Sequence, residues 1–163
     1  MISTIRTQAD VRGLLEVFTE CWGAEALYEL MASILDTTCL LHKDATSKEV
    51  VGYVFYGRDE RDNSIEITDI GVAPGHRGQG IGKALVEAVC LNSDCIRLVV
   101  KLDNNAARQL YKALGFQEIL LIPNYYGVDG DGVRMEWKRQ LVDWASTKVK
   151  ERQVRRDVKG KDK

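Results

Sequence analysis

The sequence predicts a mixed α/β fold with a central, mostly antiparallel sheet of six to seven strands. Three patterns carry this prediction. Several short runs are dense in β-branched and aromatic residues, which favour strands. Four stretches place apolar residues at helical spacing, so we expect about four helices. Finally, a strand, a glycine-rich loop, a helix and an apolar strand follow one another from Ile65 to Lys101, an order that predicts one right-handed parallel crossover.

The N-terminal part predicts a strand, two helices and a second strand. Ile2 to Arg6 alternates apolar and polar residues, which is typical of a short strand. A helical pattern then starts at Thr7 or Asp10, because both residue types favour helix N-termini. A second helical pattern runs from Ala24 to Leu35, and the apolar run Thr38 to His42 predicts the next strand.

The remaining elements are predicted from their periodicity and from the turns between them. A charged hairpin loop, Gly57 to Asn63, separates the third and fourth strands. A helix follows the glycine-rich loop, and another begins at Asp103 or Asn104 and ends at Gly115. The predicted strands are Val50 to Tyr56, Ser64 to Val72, Ile96 to Lys101, Gln117 to Ile122 and Val133 to Lys138, and the first of the two helices is Ile81 to Leu91.

The chain of 163 residues is long enough for one domain, which we assign to residues 1–140. Residues 141–163 form a basic tail, helical or disordered. Between Lys148 and Lys163 there are eight basic and three acidic residues, although the whole chain has a net charge of −1. This tail is either a solvated end or an arm that contacts nucleic acid, a ribosome or a partner protein.

Targeting and metal-binding patterns are absent from the sequence. No apolar run approaches the roughly 18 residues that span a membrane, and no signal peptide is apparent, so we expect a cytoplasmic protein without membrane contact. The four cysteines, at positions 21, 39, 90 and 95, do not have metal-ligand spacing. We expect no metal and buried thiols, with a disulfide between Cys90 and Cys95 left open.

The glycine-rich stretch Asp69 to Leu85 reads DIGVAPGHRGQGIGKAL and contains glycines at positions 75, 78, 80 and 82. Glycine lets a ligand approach the backbone closely, and the N–H groups and dipole at a helix start favour an anion such as a phosphate. The P-loop pattern fails because it needs Gly at Arg77 and Ser or Thr at Ala84. The dinucleotide pattern G-x-G-x-x-G fails as well, because it needs Gly at Lys83 or Leu85.

The segment Arg77 to Gly82 instead fits [QR]-x-x-G-x-[GA] and resembles the acetyl-CoA pyrophosphate loop of the GNAT acetyltransferase superfamily. The segment Ile70 to Pro74 is similar to the strand end that holds the pantetheine arm in that family. Asn104 to Ala107, followed by Leu110-Tyr111 and Leu114-Gly115-Phe116, resembles the family's second signature. Both signatures occur in the family's order, and the resemblance implies a GNAT fold with acetyl-CoA as co-substrate.

The resemblance also implies which residues bind acetyl-CoA. The loop would bind the pyrophosphate through its backbone N–H groups, and the strand before it would bind the pantetheine amides. The residues assigned in this way are Ile70, Val72, Arg77, Gly78, Gln79, Gly80, Ile81, Gly82, Lys83, Asn104 and Tyr111.

The resemblance assigns two catalytic roles. Tyr111 matches the tyrosine that the family places near the thioester sulfur as a general acid. Glu66 resembles the strand glutamate that histone-type members use as a base, and Asp69 is the alternative if a bulge turns it to the same side. The ribosomal-protein alanine acetyltransferases carry a glutamate at the position of Val99, and this departure leaves the base open.

The segment Asn124-Tyr125-Tyr126, followed by Asp129-Gly130 and Met135, resembles a segment of protein N-terminal acetyltransferases whose tyrosines hold the substrate backbone. Either Glu66 or Asp69 acts through a water, or no strong base is needed, and a weak base slightly favours an α-amine, with a pKa of about 7.7–8.0, over a lysine amine at about 10.4. We therefore predict transfer to a protein or peptide N-terminus by direct attack, with a small amine or a non-catalytic binding module as alternatives. The protein is predicted to be a monomer or a homodimer. Predicted acceptor-side residues are Trp22, Asp69, Tyr125 and Tyr126, with Cys21 and Tyr28 as further lining candidates.

Overall fold

The computed structural model describes residues 1–26, 30 and 37–139, and this part of the chain contains seven strands and three α-helices. No helix within these residues is long and apolar enough to cross a membrane. The strands are β1 (Ile2–Thr4), β2 (Thr38–Lys43), β3 (Val50–Arg58), β4 (Ile65–Val72), β5 (Cys95–Lys101), β6 (Gln117–Ile122) and β7 (Gly132–Lys138). The helices are α1 (Gln8–Trp22), α2 (Ile81–Cys90) and α3 (Asn105–Ala113).

The seven strands form one sheet in the order β1-β2-β3-β4-β5-β7-β6. All neighbouring strands are antiparallel except β4 and β5, which are parallel and are connected through α2. This confirms the predicted mixed fold and its single parallel crossover. The strand β6 is an edge of the sheet, and Ile119, Leu120 and Leu121 on it are exposed.

The sheet has a hydrophobic cluster on each face. On one face, Leu14 and Phe18 of α1 pack against Tyr53 and Phe55 of β3. On the other face, apolar residues of α2 and Tyr111 of α3 pack against β4, β5 and β7. The amphipathic patterns of α1 and α2 bury their apolar stripes against opposite faces, as expected for helices that cover a sheet.

Some predicted boundaries and pairings differ from the structure. The third strand extends to Arg58, inside the predicted hairpin loop, because Arg58 pairs with Ile65 and its guanidinium group donates to the carbonyl oxygen of Asn63 at 3.1 Å. Cys90 and Cys95 are free thiols, so the open possibility of a disulfide is wrong.

Most of the predicted second helix, including Tyr28, lies outside the described residues, apart from a 3-10 turn at Ala24–Ala26. The basic tail, residues 141–163, also lies outside them, so its role stays a prediction.

The strand β4 contains a bulge at Thr68. Phe55 pairs with Asp69 whereas the next residue, Tyr56, pairs with Ile67, which leaves Thr68 as the extra residue on β4. A bulge shifts the side-chain alternation by one position beyond it. Side chains at even-numbered positions before Thr68 therefore lie on the same face as side chains at odd-numbered positions after it.

This bulge determines which side chains share a face. Ile65, Ile67, Ile70 and Val72 all pack toward the cluster beneath α2 and α3. Glu66 lies between Ile65 and Ile67 in the strand, and Asp69 directly precedes Ile70. Neighbouring side chains of a strand point to opposite faces, so both carboxylates lie on the α1 side of the sheet. Simple alternation would group Glu66 with Ile70 and separate it from Asp69, and this is wrong here because β4 contains the bulge at Thr68. The role of Asp69 as a base stays a prediction.

The first turn of α1 is held by Asp10, which is almost completely buried. Its Oδ2 accepts from the N–H groups of Arg6 at 2.8 Å and Thr7 at 3.1 Å, and the hydroxyl oxygen of Thr7 accepts from the N–H of Asp10 at 3.1 Å. This is a reciprocal capping box. Lys43 of β2 forms an ion pair with Asp10 Oδ1 at 2.5 Å. The contact with Lys43, followed by the backbone donors, lowers the pKa of Asp10 to about 2.

We expect Asp10→Asn to lower the melting temperature at pH 7, and the difference from the unchanged protein to disappear in acid. The pKa of Asp10 in the fold, about 2, lies below the ordinary value for an aspartate, about 3.9. The carboxylate's contribution is therefore fully present above the unfolded pKa and is lost as the pH falls through the folded pKa. Calorimetry from pH 7 to pH 2 measures this, with Asp103→Asn, an exposed aspartate, as the control. A constant difference across that range would contradict the expectation.

Candidate active site

The candidate site is a cleft that opens where β4 and β5 separate. These strands pair at only three positions, from Ile65 with Ile96 to Ile67 with Leu98, and diverge beyond them. The cleft has a volume of about 370 Å³. It is lined by aromatic, apolar and a few polar side chains, namely Trp22, Ile67, Thr68, Asp69, Ile70, Leu98, Val99, Val100, Lys101, Asn104, Ala107, Tyr111 and Tyr126.

The cleft brings together six residues that the sequence predicts for the site: Trp22, Asp69, Ile70, Asn104, Tyr111 and Tyr126. The predicted residues Glu66, Val72, Tyr125 and the loop Arg77 to Lys83 lie outside its lining. Among the described residues of the lining, Lys101 has the single basic side chain, and it was not assigned to the site from the sequence. Nothing in the sequence distinguishes a lysine at a strand end that lines a site from one that is solvated.

The glycine-rich loop lies between β4 and α2 and leaves the start of the helix open. Gly78 and Gly80 have φ angles of 75° and 79°, which side-chain-bearing residues rarely adopt. Gly80 is the N-cap of α2 and provides no side-chain cap. Among the described residues, no atom lies within 4 Å of a Cβ built on Gly75, Gly78 or Gly80. The backbone N–H groups at this helix start can therefore receive an anion.

The side chain of Arg77 folds back toward the end of β4. Its Nε donates to the carbonyl oxygen of Val72 at 3.0 Å, and its Nη2 lies 3.9 Å from Cys21 Sγ. The Cys21 thiol also contacts the Val72 carbonyl oxygen at 3.5 Å. Burial raises the pKa of this thiol despite the nearby guanidinium group. These contacts hold the Arg77 side chain of the loop against the end of β4.

Helix α3 places Asn104 and Tyr111 at the cleft. The side chain of Asn104 accepts from the N–H of Ala107 at 3.1 Å, so it caps the helix and lines the cleft at the same time. Tyr111 is 4% exposed, and its ring packs on Phe116 with 5.6 Å between centroids. Burial, with a contribution from the charge of Asp69, raises the pKa of Tyr111 well above its ordinary value. Its phenol is therefore protonated at neutral pH.

Asp69 is the one carboxylate among the described residues that line the cleft. Its Oδ2 accepts from the hydroxyl group of Tyr53 at 2.8 Å, and the oxygen of Tyr53 accepts from the indole N–H of Trp22 at 2.8 Å. Tyr53 could not be assigned to the site from the sequence, because a tyrosine in a β-type run is indistinguishable from an ordinary strand residue.

Glu66 lies on the same face of the sheet but outside the cleft lining. Arg134 Nη2 is 3.9 Å from its Oε1, and both side chains are about one-third exposed. Partial burial raises the pKa of Glu66, and the guanidinium groups of Arg134 and Arg97 oppose that rise. Its role as a base stays a prediction.

The tyrosine-containing loop between β6 and β7 is held by its own backbone. Tyr126 N–H donates to the Gly130 carbonyl at 3.0 Å, and the N–H of Asn124 donates to Asp131 Oδ1 at 2.9 Å. The rings of Tyr125 and Tyr126 are perpendicular, with 4.9 Å between centroids. The hydroxyl of Tyr126 donates to the carbonyl oxygen of Val99 at 3.1 Å. The loop therefore reaches β5 at the cleft while Tyr125 stays half exposed.

The site has the features that a CoA thioester needs. An open helix start with two left-handed glycines suits its pyrophosphate, and the space between the two diverging strands suits its extended arm. Within residues 1–26 and 37–139, no group of three or more His, Cys, Asp or Glu side chains could hold a metal ion.

Comparisons with known proteins indicate one enzyme family. The sequence model of the Acetyltransferase (GNAT) family matches residues 10–116. The N-alpha-acetyltransferase RimI of Mycobacterium tuberculosis is 36% identical over 85 residues, which cover 50% of this chain and 54% of that protein. The match thus spans about half of the relative's length. A putative ribosomal protein bS18-alanine N-acetyltransferase of Bacillus subtilis is 29% identical over 128 residues, covering 74% of this chain and 80% of that protein.

A solved structure shares the fold. The ribosomal-protein-S18-alanine N-acetyltransferase from Escherichia coli superposes with a TM-score of 0.70 and 20% identity, covering 88% of this chain and 96% of that one.

We expect Gly80→Ala to weaken CoA binding about tenfold, equivalent to about 1.4 kcal/mol. A Cβ at a φ of 79° costs about 1–2 kcal/mol, so the loop would relax away from the conformation that directs its N–H groups outward. Titration calorimetry with CoA measures the dissociation constant. The matched control is Gly75→Ala, in the same loop and with equally open space around the new Cβ. Equal weakening by both variants would contradict this interpretation of Gly80.

Proposed function

Because the chain belongs to the GNAT acetyltransferase family, we propose that it transfers the acetyl group of acetyl-CoA to the N-terminal α-amine of a protein or peptide. One observation carries the proposal. The cleft between the diverging strands contains a carboxylate, Asp69, and a buried phenol, Tyr111, and β4 continues from this cleft through the glycine-rich loop to the open start of α2. Relatives named as N-terminal acetyltransferases support the choice of acceptor.

The donor would be bound at two places. The N–H groups from Gly78 to Lys83 would receive the pyrophosphate at the start of α2, with the helix dipole adding attraction. The backbone of Ile70 and Val72 would bond the amides of the pantetheine arm along the open edge of β4. Asn104 would contact the same arm while it continues to cap α3.

The chemical step is attack of the neutral amine nitrogen on the thioester carbonyl carbon, with cleavage of the carbon–sulfur bond. The amine must lose a proton, and Asp69 is placed in the cleft to receive it, directly or through a water. Glu66 would have to act from outside the cleft lining, across its ion pair with Arg134. The geometry therefore supports Asp69 over Glu66 as the base.

The departing thiolate must receive a proton or a hydrogen bond. Tyr111 lines the cleft, and its raised pKa keeps the phenol protonated at neutral pH, so it has a proton to donate. The same burial makes the tyrosinate that would remain after donation unfavourable. A tyrosine here is therefore suited to share its proton with the sulfur and to be reprotonated as CoA leaves.

The acceptor would enter past Trp22 and the loop of Tyr125 and Tyr126. Trp22 is 55% exposed, and Tyr125 is 50% exposed, so both can contact a substrate backbone. Tyr126 is anchored to Val99, which places a rigid aromatic ring at the entrance. A peptide N-terminus fits this description because it combines a reactive amine with amide groups that the phenols can bond.

We expect the protein to release CoA from acetyl-CoA only with acceptors that have a free α-amine. Short peptides with varied first residues, the same peptides with blocked N-termini and free lysines, and polyamines or aminoglycosides form the test set. Free CoA is measured with a thiol reagent, and the acetylated position by mass spectrometry. Turnover confined to small amines would overturn the assigned acceptor. Tight acetyl-CoA binding without any turnover would favour a non-catalytic binding module.

We expect Asp69→Asn to lower kcat about 10²- to 10⁴-fold, the range for loss of a general base. The KM for acetyl-CoA should change little, because Asp69 does not belong to the proposed pyrophosphate loop. The paired variant is Glu66→Gln, which removes the other candidate carboxylate and should cost less. A larger loss of kcat in Glu66→Gln than in Asp69→Asn would transfer the base role to Glu66.

A further inference from the structure

We propose that Tyr53 is a positioning residue that holds the Asp69 carboxylate in the cleft, and that Trp22 fixes the direction of the tyrosine's proton. The inference rests on the proposed function, because it concerns the carboxylate assigned to accept the amine's proton. The inference adds Tyr53 and Trp22 as residues that support Asp69. Tyr53 is 0% exposed and does not line the cleft.

The direction of both hydrogen bonds follows from the groups involved. An indole nitrogen can only donate, so the hydroxyl oxygen of Tyr53 must accept from Trp22 Nε1 at 2.8 Å. The single hydroxyl proton of Tyr53 is then directed to Asp69 Oδ2, also at 2.8 Å. A carboxylate that accepts this hydrogen bond is held in a fixed plane and position. Trp22, Tyr53 and Asp69 therefore form one ordered chain across α1, β3 and β4.

Asp69 would not reach Tyr53 in a regular strand. The bulge at Thr68 shifts the alternation of β4 and turns Asp69 to the face where Tyr53 lies. The ring of Tyr53 also needs the absence of a side chain at Gly71, since a Cβ there would be 2.5 Å from its Cε1. The bulge at Thr68 and the missing side chain at Gly71 thus together allow the contact between Tyr53 and Asp69.

The surroundings of Tyr53 make the contact rigid. Its ring packs against Phe18 and Phe55, with centroid distances of 5.7 Å and 5.4 Å. Burial, together with the adjacent charge of Asp69, raises the pKa of Tyr53 far above its ordinary value. The phenol stays protonated and is a permanent donor to Asp69. Its position would therefore hold the carboxylate still while a proton passes between Asp69 and the amine.

The test is the kcat of Tyr53→Phe with a free N-terminal peptide at saturating acetyl-CoA. Loss of a hydrogen bond to a charged group should lower kcat about 10- to 100-fold, with the KM for acetyl-CoA unchanged. Trp22→Phe should lower kcat in the same direction. The matched control is Tyr56→Phe, on the same strand but packed toward the opposite face, which should retain the original kcat.

A double-mutant cycle separates positioning from a structural role. Tyr53→Phe should have no further effect on kcat in an Asp69→Asn background, because both variants remove the same carboxylate function. An equal loss in both backgrounds, or a Tyr53→Phe protein with unchanged kcat, would overturn the proposal. If the protein without substitutions does not turn over any peptide, the proposed function is overturned together with this inference. If that protein is active but the effects of the two substitutions on kcat are additive, only the inference is overturned.

Discussion

The separation of β4 and β5 is the constraint on which the rest of the structure depends. Parallel strands normally pair along their length, but here the backbone bonds stop after Ile67 and Leu98. Beyond that point the two strands no longer pair with each other, and backbone groups along their facing edges must bond to side chains such as Tyr126, to water or to a ligand. Helices α2 and α3 pack on one face of the sheet, and α1 packs on the other.

The fold could be predicted because its signals are local, whereas the donor-binding residues stay a prediction. Hydrophobic periodicity locates the strands and helices, and glycines that must adopt a positive φ mark the anion-binding loop between β4 and α2. Asn104 and Tyr111 were assigned to the site through their resemblance to the family's second signature, and both lie in the lining of the cleft.

The contacts of the proposed acceptor-side residues could not be predicted from the sequence, because they join residues that are distant in the chain. A bulge at Thr68 has no sequence signature, yet it decides that Asp69 lies beside Tyr53. Arg77 fits the family's loop pattern, but its side chain bonds to a backbone carbonyl that only the tertiary structure brings near. Glu66 was favoured by its resemblance to another branch of the family, while its exclusion from the cleft lining depends on where the strands part.

The contact between Gly71 and the ring of Tyr53 links two positions that are far apart in the chain. A side chain can appear at position 71 only if the ring at position 53 becomes smaller, because less than a van der Waals distance separates them. Either change alone is disfavoured, so in an evolving lineage the pair would be inherited as a unit. Relatives should therefore divide into those with glycine facing a large aromatic ring and those with a larger residue facing a smaller one, and the two groups would hold the carboxylate of β4 by different means.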